Sequence, residues 1–250
     1  MSGRQTLDAG TIHFASGHQF SAVSVVPQEI ALYGDLTVIQ NLIYFGRLCG
    51  VPPKSVRERV ERALLWAGLQ EKRKQLARTL SGGMQRRLNI ACSVLHEPRI
   101  LLLDEPTVGV DPQSRERIYD MVHSLLQSGT SVLLTTHQLD EAQQRCQHLA
   151  IIDHGKIVAA GTFDQLVEQT IGEQQLLSVQ FSRRTAVVPH PLRLKDDGLE
   201  AQCNLNRVSI ELPLLLHQLN HARLPVDSLT LRGPTLQSVF LHLTGRELRE

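Results

Sequence analysis

The stretch Ile100-Leu101-Leu102-Leu103-Asp104-Glu105-Pro106-Thr107 decides the fold. A short apolar run ending in two carboxylates reads as a strand buried on both faces of a parallel sheet, with Asp104 and Glu105 at its carboxyl end. Just upstream, Pro98 ends the helix GGMQRRLNIACSVLHE, which Ser81 opens, because the residue before a proline is steered out of the helical region. Downstream come a helix from about Ser114 to Gln127, a Ser-Gly turn, the strand SVLLTTH, a helix from about Leu139 to Gln147 and the strand LAIIDHGKIVAAG. Far upstream, FSAVSVVP, from Phe20 to Pro27, is a further β-branched strand that delivers Gln28. The alternation of strand and helix predicts an α/β fold with a doubly wound core. Ligands of such sheets bind at the carboxyl ends of the strands, where Gln28, Asp104, Glu105 and His137 fall.

Between the first strand and Ser81 the pattern turns helical. TVIQNLIYFGRLCG is followed by a charged segment from Pro53 to Leu69 with Val56, Val60, Ala63, Leu64 and Ala67 at helical spacing. This predicts a separate helical lobe, residues 36–98, within a main domain 1–170. Beyond Thr170 the alternation weakens into LLSVQF, a polar connection, the segment RVSIEL, a helix around Leu214–Ala222, the strand VDSLTL and a last helix from Thr235 to Leu243. Residues 171–250 are therefore expected to form a small α+β appendage.

With 26 basic against 25 acidic side chains the chain carries a formal charge of +1. That argues against a surface built to neutralise many nucleic-acid phosphates. Cys49, Cys92, Cys146 and Cys203 include no C-x-x-C pair, so neither a zinc site nor a disulfide framework is expected, and a reducing cytoplasm fits. No apolar run approaches the length of a membrane span, so membrane contact is expected to come through a partner. Trp66, the basic run Lys72-Arg73-Lys74, and His13, His18, His190 and His217 read as packing or solvated residues without metal-ligand spacing.

Chemistry concentrates in three places. Ser81-Gly82-Gly83 opens a helix with a hydroxyl, bare backbone N–H groups and the positive end of the helix dipole, which together make an anion site. Asp104 at the strand end suits Mg²⁺, and Glu105 suits the orientation or deprotonation of an attacking water. Thr135-Thr136-His137 ends the next strand with an imidazole able to bond a transferred phosphate.

In this order the three elements resemble the ATP-binding-cassette (ABC) ATPase family. LSGGMQ matches its signature motif, ILLLDE its Walker B strand, VGVDPQSR its D-loop, SVVPQE its Q-loop and TTHQLDEA its switch histidine; the resemblance covers roughly Asp8 to Gly161. It implies ATP and Mg²⁺ as cofactors, with Glu105 as general base, His137 as switch, Asp104 and Gln28 serving Mg²⁺, and Ser81, Gly82, Gly83 and Gln85 binding nucleotide. Asp111 is implied to cross the interface of a head-to-tail dimer with a second ABC ATPase chain. The lobe is implied to touch membrane-embedded permease subunits. LTVIQNLIYFGRLCGV and the closing GPTLQSVFLHLTGREL are similar to the exporter branch, which includes drug-resistance and efflux systems.

The family's phosphate loop, G-x-x-x-x-G-K-[S/T], occurs nowhere in the sequence. The opening MSGRQTLDAGTIHFASG resembles the stretch that follows the loop's helix, so the resemblance implies an N-terminally incomplete subunit without autonomous turnover. Loss of the loop's strand is expected to leave an apolar groove. The alternative is a pseudo-ATPase interaction subunit that lends its signature to a loop-bearing partner.

Overall fold

The computed structural model describes residues 9–11, 23–172 and 174–245. The first residues of the strand expected from Phe20, together with His13 and His18, lie outside these. The chain divides into two compact units, Met1–Thr136 and His137–Glu250.

In the first unit, strands β1 (Val23–Val26), β2 (Ile100–Asp104) and β3 (Ser131–Thr135) form a parallel sheet in the order β1-β2-β3. Helices α1 (Val38–Leu48), α2 (Pro53–Ala67), α3 (Gly82–Val94) and α4 (Pro112–Gln127) complete it. One core holds all of them: Val26, Leu101 and Leu103 of the sheet share it with Leu42, Leu64, Leu88, Ile118 and Met121. The helical stretch 36–98 shares this core with the sheet. Each fully buried leucine here contributes about 1.5–3 kcal/mol of transfer free energy.

β2 corrects the expectation of burial on both faces. Leu101 and Leu103 are buried, whereas Ile100 and Leu102 are half-buried, and their neighbour Leu133 on β3 is 53% exposed. Residues paired across a parallel ladder share a face, so one face meets the helices and the other is only partly covered.

Two polar devices pin the turn after β1. Thr37 and Gln40 form a capping box at the start of α1. Asn41, fully buried, accepts from the Tyr33 N–H at 2.9 Å and donates to the carbonyls of Tyr33, Leu36 and Thr37. The same turn bonds to the approach to Ser81 through Ala77 N–H to Leu36 O at 2.9 Å and Val38 N–H to Gln75 O at 3.0 Å. Trp66 packs against the core and donates its indole N–H to Ser124 Oγ at 2.6 Å, tying α2 to α4. Arg73 of the basic run pairs with Glu61 at 2.7 Å on the surface.

His96, just past α3, gives a pH-dependent expectation. Burial, reinforced by the nearby Arg59 charge, holds its imidazole below the usual histidine range. The folded state thus binds this proton more weakly than the unfolded chain. The stability it contributes is present above about pH 6.5 and is lost as pH falls from there toward the lower folded value. Urea unfolding followed by Trp66, the only tryptophan, is expected to shift to lower urea below pH 6.5, and His96→Gln to flatten that dependence. An unchanged pH profile in the variant would assign the effect to other groups.

In the second unit, LAIIDHGKIVAAG is a hairpin and not one strand. β4 (Leu149–Asp153) pairs antiparallel with β5 (Lys156–Gly161), joined by His154 and Gly155 at φ of 46° and 74°. A two-residue turn with both φ values positive matches the strand twist, which is why this dipeptide reverses the chain. Helices α5 (Leu139–Arg145) and α6 (Phe163–Gln169) and the last helix, α8 (Leu236–Thr244), share a small core of Ala142, Ile151, Leu166, Leu236 and Val239. The C-terminal helix therefore packs with elements on the other side of residue 170.

The remaining strands, β6 (Gln175–Phe181), β7 (Arg193–Leu194), β8 (Glu200–Leu205) and β9 (Val226–Arg232), form an antiparallel sheet in the order β7-β8-β6-β9. RVSIEL does not stand apart from the next helix: Val208 to Leu212 are the first turns of α7 (Val208–His221). Val208, Leu212, Leu215 and Leu219 follow helical spacing into the sheet's core, and the Glu211 carboxylate accepts from the N–H groups of Asn206 and Arg207. Among the described residues no helix is long and apolar enough to cross a membrane.

Candidate functional site

Ser81 caps α3, its Oγ accepting from the Met84 N–H at 3.3 Å. Ser81 and Gly82 are exposed, and a Cβ on Gly82 would meet nothing within 4 Å. The first N–H groups of a helix have no partner within it, so this open end presents donors and the dipole to an approaching anion.

Gly83 is constrained by packing as well. It is buried, and a Cβ there would lie 2.3 Å from Ser114 Oγ and 2.4 Å from Ser114 Cβ. Glycine lets the start of α4 press against the start of α3. Asp111 caps α4, its Oδ1 accepting from the Ser114 N–H at 2.9 Å. That bond and a second from the Ser114 hydroxyl hold the Asp111 carboxyl below the usual carboxylate range. Asp111 thus stands beside Gly83 as an exposed helix cap. Gln85 donates to the carbonyls of Ala77 and Leu80 at 3.1 and 3.2 Å, so its amide nitrogen braces the turn that leads into Ser81.

The carboxylates sit at the other half of the site. Val26 pairs with Leu103 and Asp104 with Thr135, so the carboxyl ends of the three strands align. Gln28 follows β1 and is exposed. Asp104 is exposed and accepts a short hydrogen bond from the Thr135 hydroxyl. Glu105 is half-buried, with its N–H donating to Thr135 O at 3.1 Å. Its φ is 45°, a left-handed conformation that costs a non-glycine residue about 1 kcal/mol or more. His137, two positions after β3 in the sequence, is exposed and opens the second compact unit.

Sequence reasoning passed over Arg86, which links the two halves. Only 3% exposed, it donates from Nε to Pro106 O at 2.9 Å, from Nη1 to Pro27 O at 2.6 Å, and from Nη2 to Asp104 O at 3.1 Å and Glu105 O at 2.6 Å. Burial lowers the guanidinium's pKa from its ordinary value, and the charges of Asp104 and Glu105 work against that shift. The signal was there: Gly83, Arg86 and Ile90 lie on one buried stripe of α3, and an arginine in such a stripe needs buried partners.

The donor set suits a nucleoside triphosphate with Mg²⁺. An open helix end offers N–H groups to phosphate, and Asp104 with Gln28 offers hard oxygen ligands. Among the described residues no group of three or more His, Cys, Asp or Glu converges on a cation site. One carboxylate and one amide fit a cation that keeps waters and phosphate oxygens as its other ligands.

Comparison with known proteins agrees. The ABC transporter family model matches residues 1–108. Linearmycin resistance ATP-binding protein LnrL of Bacillus subtilis is 34% identical over 100% of this chain and 83% of its own length. Nod factor export ATP-binding protein I of Ralstonia nicotianae is 37% identical, with 97% and 79% covered. A solved ATP-binding subunit of an ABC transporter superposes with a TM-score of 0.54 at 26% identity, covering 60% of this chain and 62% of the other. The chain belongs to the ABC transporter family, as an ATPase subunit. Within that class it is of the exporter type, alongside drug-resistance and Nod factor export ATP-binding proteins.

Proposed function

We propose that the chain couples ATP binding and hydrolysis to the export of a substrate through a membrane-embedded permease, at the cytoplasmic face of the membrane. The observation that carries this reading is the open, serine-capped end of α3 joined through Arg86 to the Asp104-Glu105 strand end. When bound, ATP with Mg²⁺ supplies the phosphoanhydride whose hydrolysis drives transport. Glu105 orients and deprotonates the attacking water, His137 bonds the phosphate being released, and Asp104 and Gln28 hold Mg²⁺. Ser81, Gly82 and Gly83, braced by Gln85, grip ATP seated on a second ABC chain in a head-to-tail dimer, with Asp111 beside that contact. All of these nucleotide-handling residues fall within a functional domain of residues 1–170.

An exposed aromatic surface at the start of the helical stretch supports the permease contact. Tyr33 and Tyr44 are 47% and 42% exposed, and their rings meet edge to face at 4.7 Å. Phe45 stands 5.8 Å from each ring. An exposed aromatic cluster, in a chain with 4% aromatic residues, marks an interaction surface suited to a permease's cytoplasmic helix.

The 250 residues contain no G-x-x-x-x-G-K-[S/T]. The test therefore compares Mg²⁺-dependent ATP hydrolysis by this chain alone, by the chain mixed with a loop-bearing ABC ATPase, and by a version with a strand, phosphate loop and helix fused ahead of Met1. Hydrolysis by the fused version, abolished by Ser81→Arg, is the expected result. Hydrolysis only in the mixture would favour the pseudo-ATPase reading, in which this chain lends its signature. No hydrolysis in any combination would exclude both.

A further inference from the structure

We propose that Arg86 is a positioning residue that holds the Glu105 backbone in its left-handed conformation and fixes it to the signature helix; this deepens the reading above and rests on it for the role of Glu105. A glutamate at φ 45° persists only where its surroundings over-determine it. The peptide plane before its Cα is held by the Thr135 carbonyl through the Glu105 N–H, and the plane after it by Arg86 Nη2 at 2.6 Å from the Glu105 oxygen. The same guanidinium grips Asp104 O and Pro106 O on either side, so the backbone across 104–106 is clamped by one rigid group.

The fourth contact, to Pro27 O, fastens the residue before Gln28 to the same group. The Mg²⁺-serving Gln28 and Asp104 and the base Glu105 are thus indexed to α3, whose first residues are the phosphate-gripping Gly82 and Gly83. A displacement of that helix end on nucleotide engagement reaches the backbone of the base through one buried side chain. The planar fork matters: its N–H groups point along several fixed directions at once, whereas a lysine ammonium acts as a point charge on a flexible stem.

Arg86→Lys keeps the charge and most of the stem but loses the fork. Residue-resolved amide hydrogen exchange on the full chain is expected to show at least about tenfold faster exchange at Glu105, whose N–H is bonded to Thr135 O. Leu88 to Ala91 and Leu101 to Leu103 should change by less than about twofold. Unchanged exchange at Glu105, or an equal rise throughout the unit, would overturn the proposal, the latter marking Arg86 as general packing support.

In the loop-fused version, Arg86→Lys is expected to lower kcat by about 100-fold, as for a misplacement near 1 Å, with the KM for ATP within about threefold. A loss confined to KM would count against positioning. If the unsubstituted fused version hydrolyses no ATP, the functional reading fails, while the exchange pattern still decides what Arg86 holds. Should Arg86→Lys unfold the unit, Glu105→Gly is the companion variant, since glycine adopts φ 45° without strain. Recovery of folding in Arg86→Lys/Glu105→Gly is expected, and its absence would sink the clamp.

Discussion

Glu105→Gln is expected to lower ATP hydrolysis by about 10²- to 10⁴-fold in the turnover-competent assembly, with ATP affinity held within about threefold. Glutamine has the same length and can hydrogen-bond a water, but it cannot accept the proton. The backbone of residue 105 stays clamped between Thr135 O and Arg86, so the substitution isolates proton transfer from position. Because Gln28, Asp104 and the α3 N-terminus are untouched, nucleotide binding reports on the rest of the site. Single-turnover hydrolysis with equilibrium ATP binding on the same preparation separates the two effects. A rate within tenfold of the unsubstituted protein would remove Glu105 from its role as base, and attention would move to another group near the strand end.

Gly83→Ala is expected to destabilise the first compact unit by about 1–3 kcal/mol, the range for forcing atoms into a packed site. The new methyl would fall 2.4 Å from Ser114 Cβ, an atom one bond from the backbone, so rotation of the Ser114 hydroxyl cannot relieve the clash. Relief requires α3 and α4 to move apart at their N-termini, which also disturbs the Asp111 cap. Urea unfolding followed by Trp66, which bridges α2 to Ser124 of α4, reads this unit. Gly82→Ala makes the contrast, because its Cβ would enter open space. It should be neutral in stability or gain up to about 1 kcal/mol through helix propensity, while weakening ATP engagement by crowding the open end. Ser114→Gly should rescue Gly83→Ala, so that the double variant is more stable than the two single losses sum to by at least about 1 kcal/mol. Simple additivity would show that the close approach of α3 and α4 is not what requires glycine here.

Sequence reading drew its candidate residues from short local patterns: serine and two glycines before a helix, two carboxylates after an apolar strand, a histidine past the next strand. It went astray where the outcome depended on partners far along the chain. LAIIDHGKIVAAG has an apolar period that suits one strand, yet positive φ at His154 and Gly155 turns it back on itself. RVSIEL reads as a segment apart from the helix that follows, yet its apolar positions belong to that helix once the β6-β8 sheet gives them a surface.

The amino-acid sequence by itself determined the family, the order of strand and helix through the first sheet, and the residue types available for phosphate, cation and water. Such information is local: each motif spans a few residues, and its chemistry follows from side-chain type and cap geometry. Tertiary structure alone decided how these groups are held. The helical stretch shares one core with the sheet. Gly82 faces open space while Gly83 meets Ser114, and Asp111 caps a helix beside it. Above all, a buried Arg86 gathers Pro27, Asp104, Glu105 and Pro106 around one guanidinium. Those relations join residues far apart in the chain, and only the packing of α3 against the strand ends brings the four carbonyls within reach of one side chain, where burial makes each hydrogen bond costly to lose.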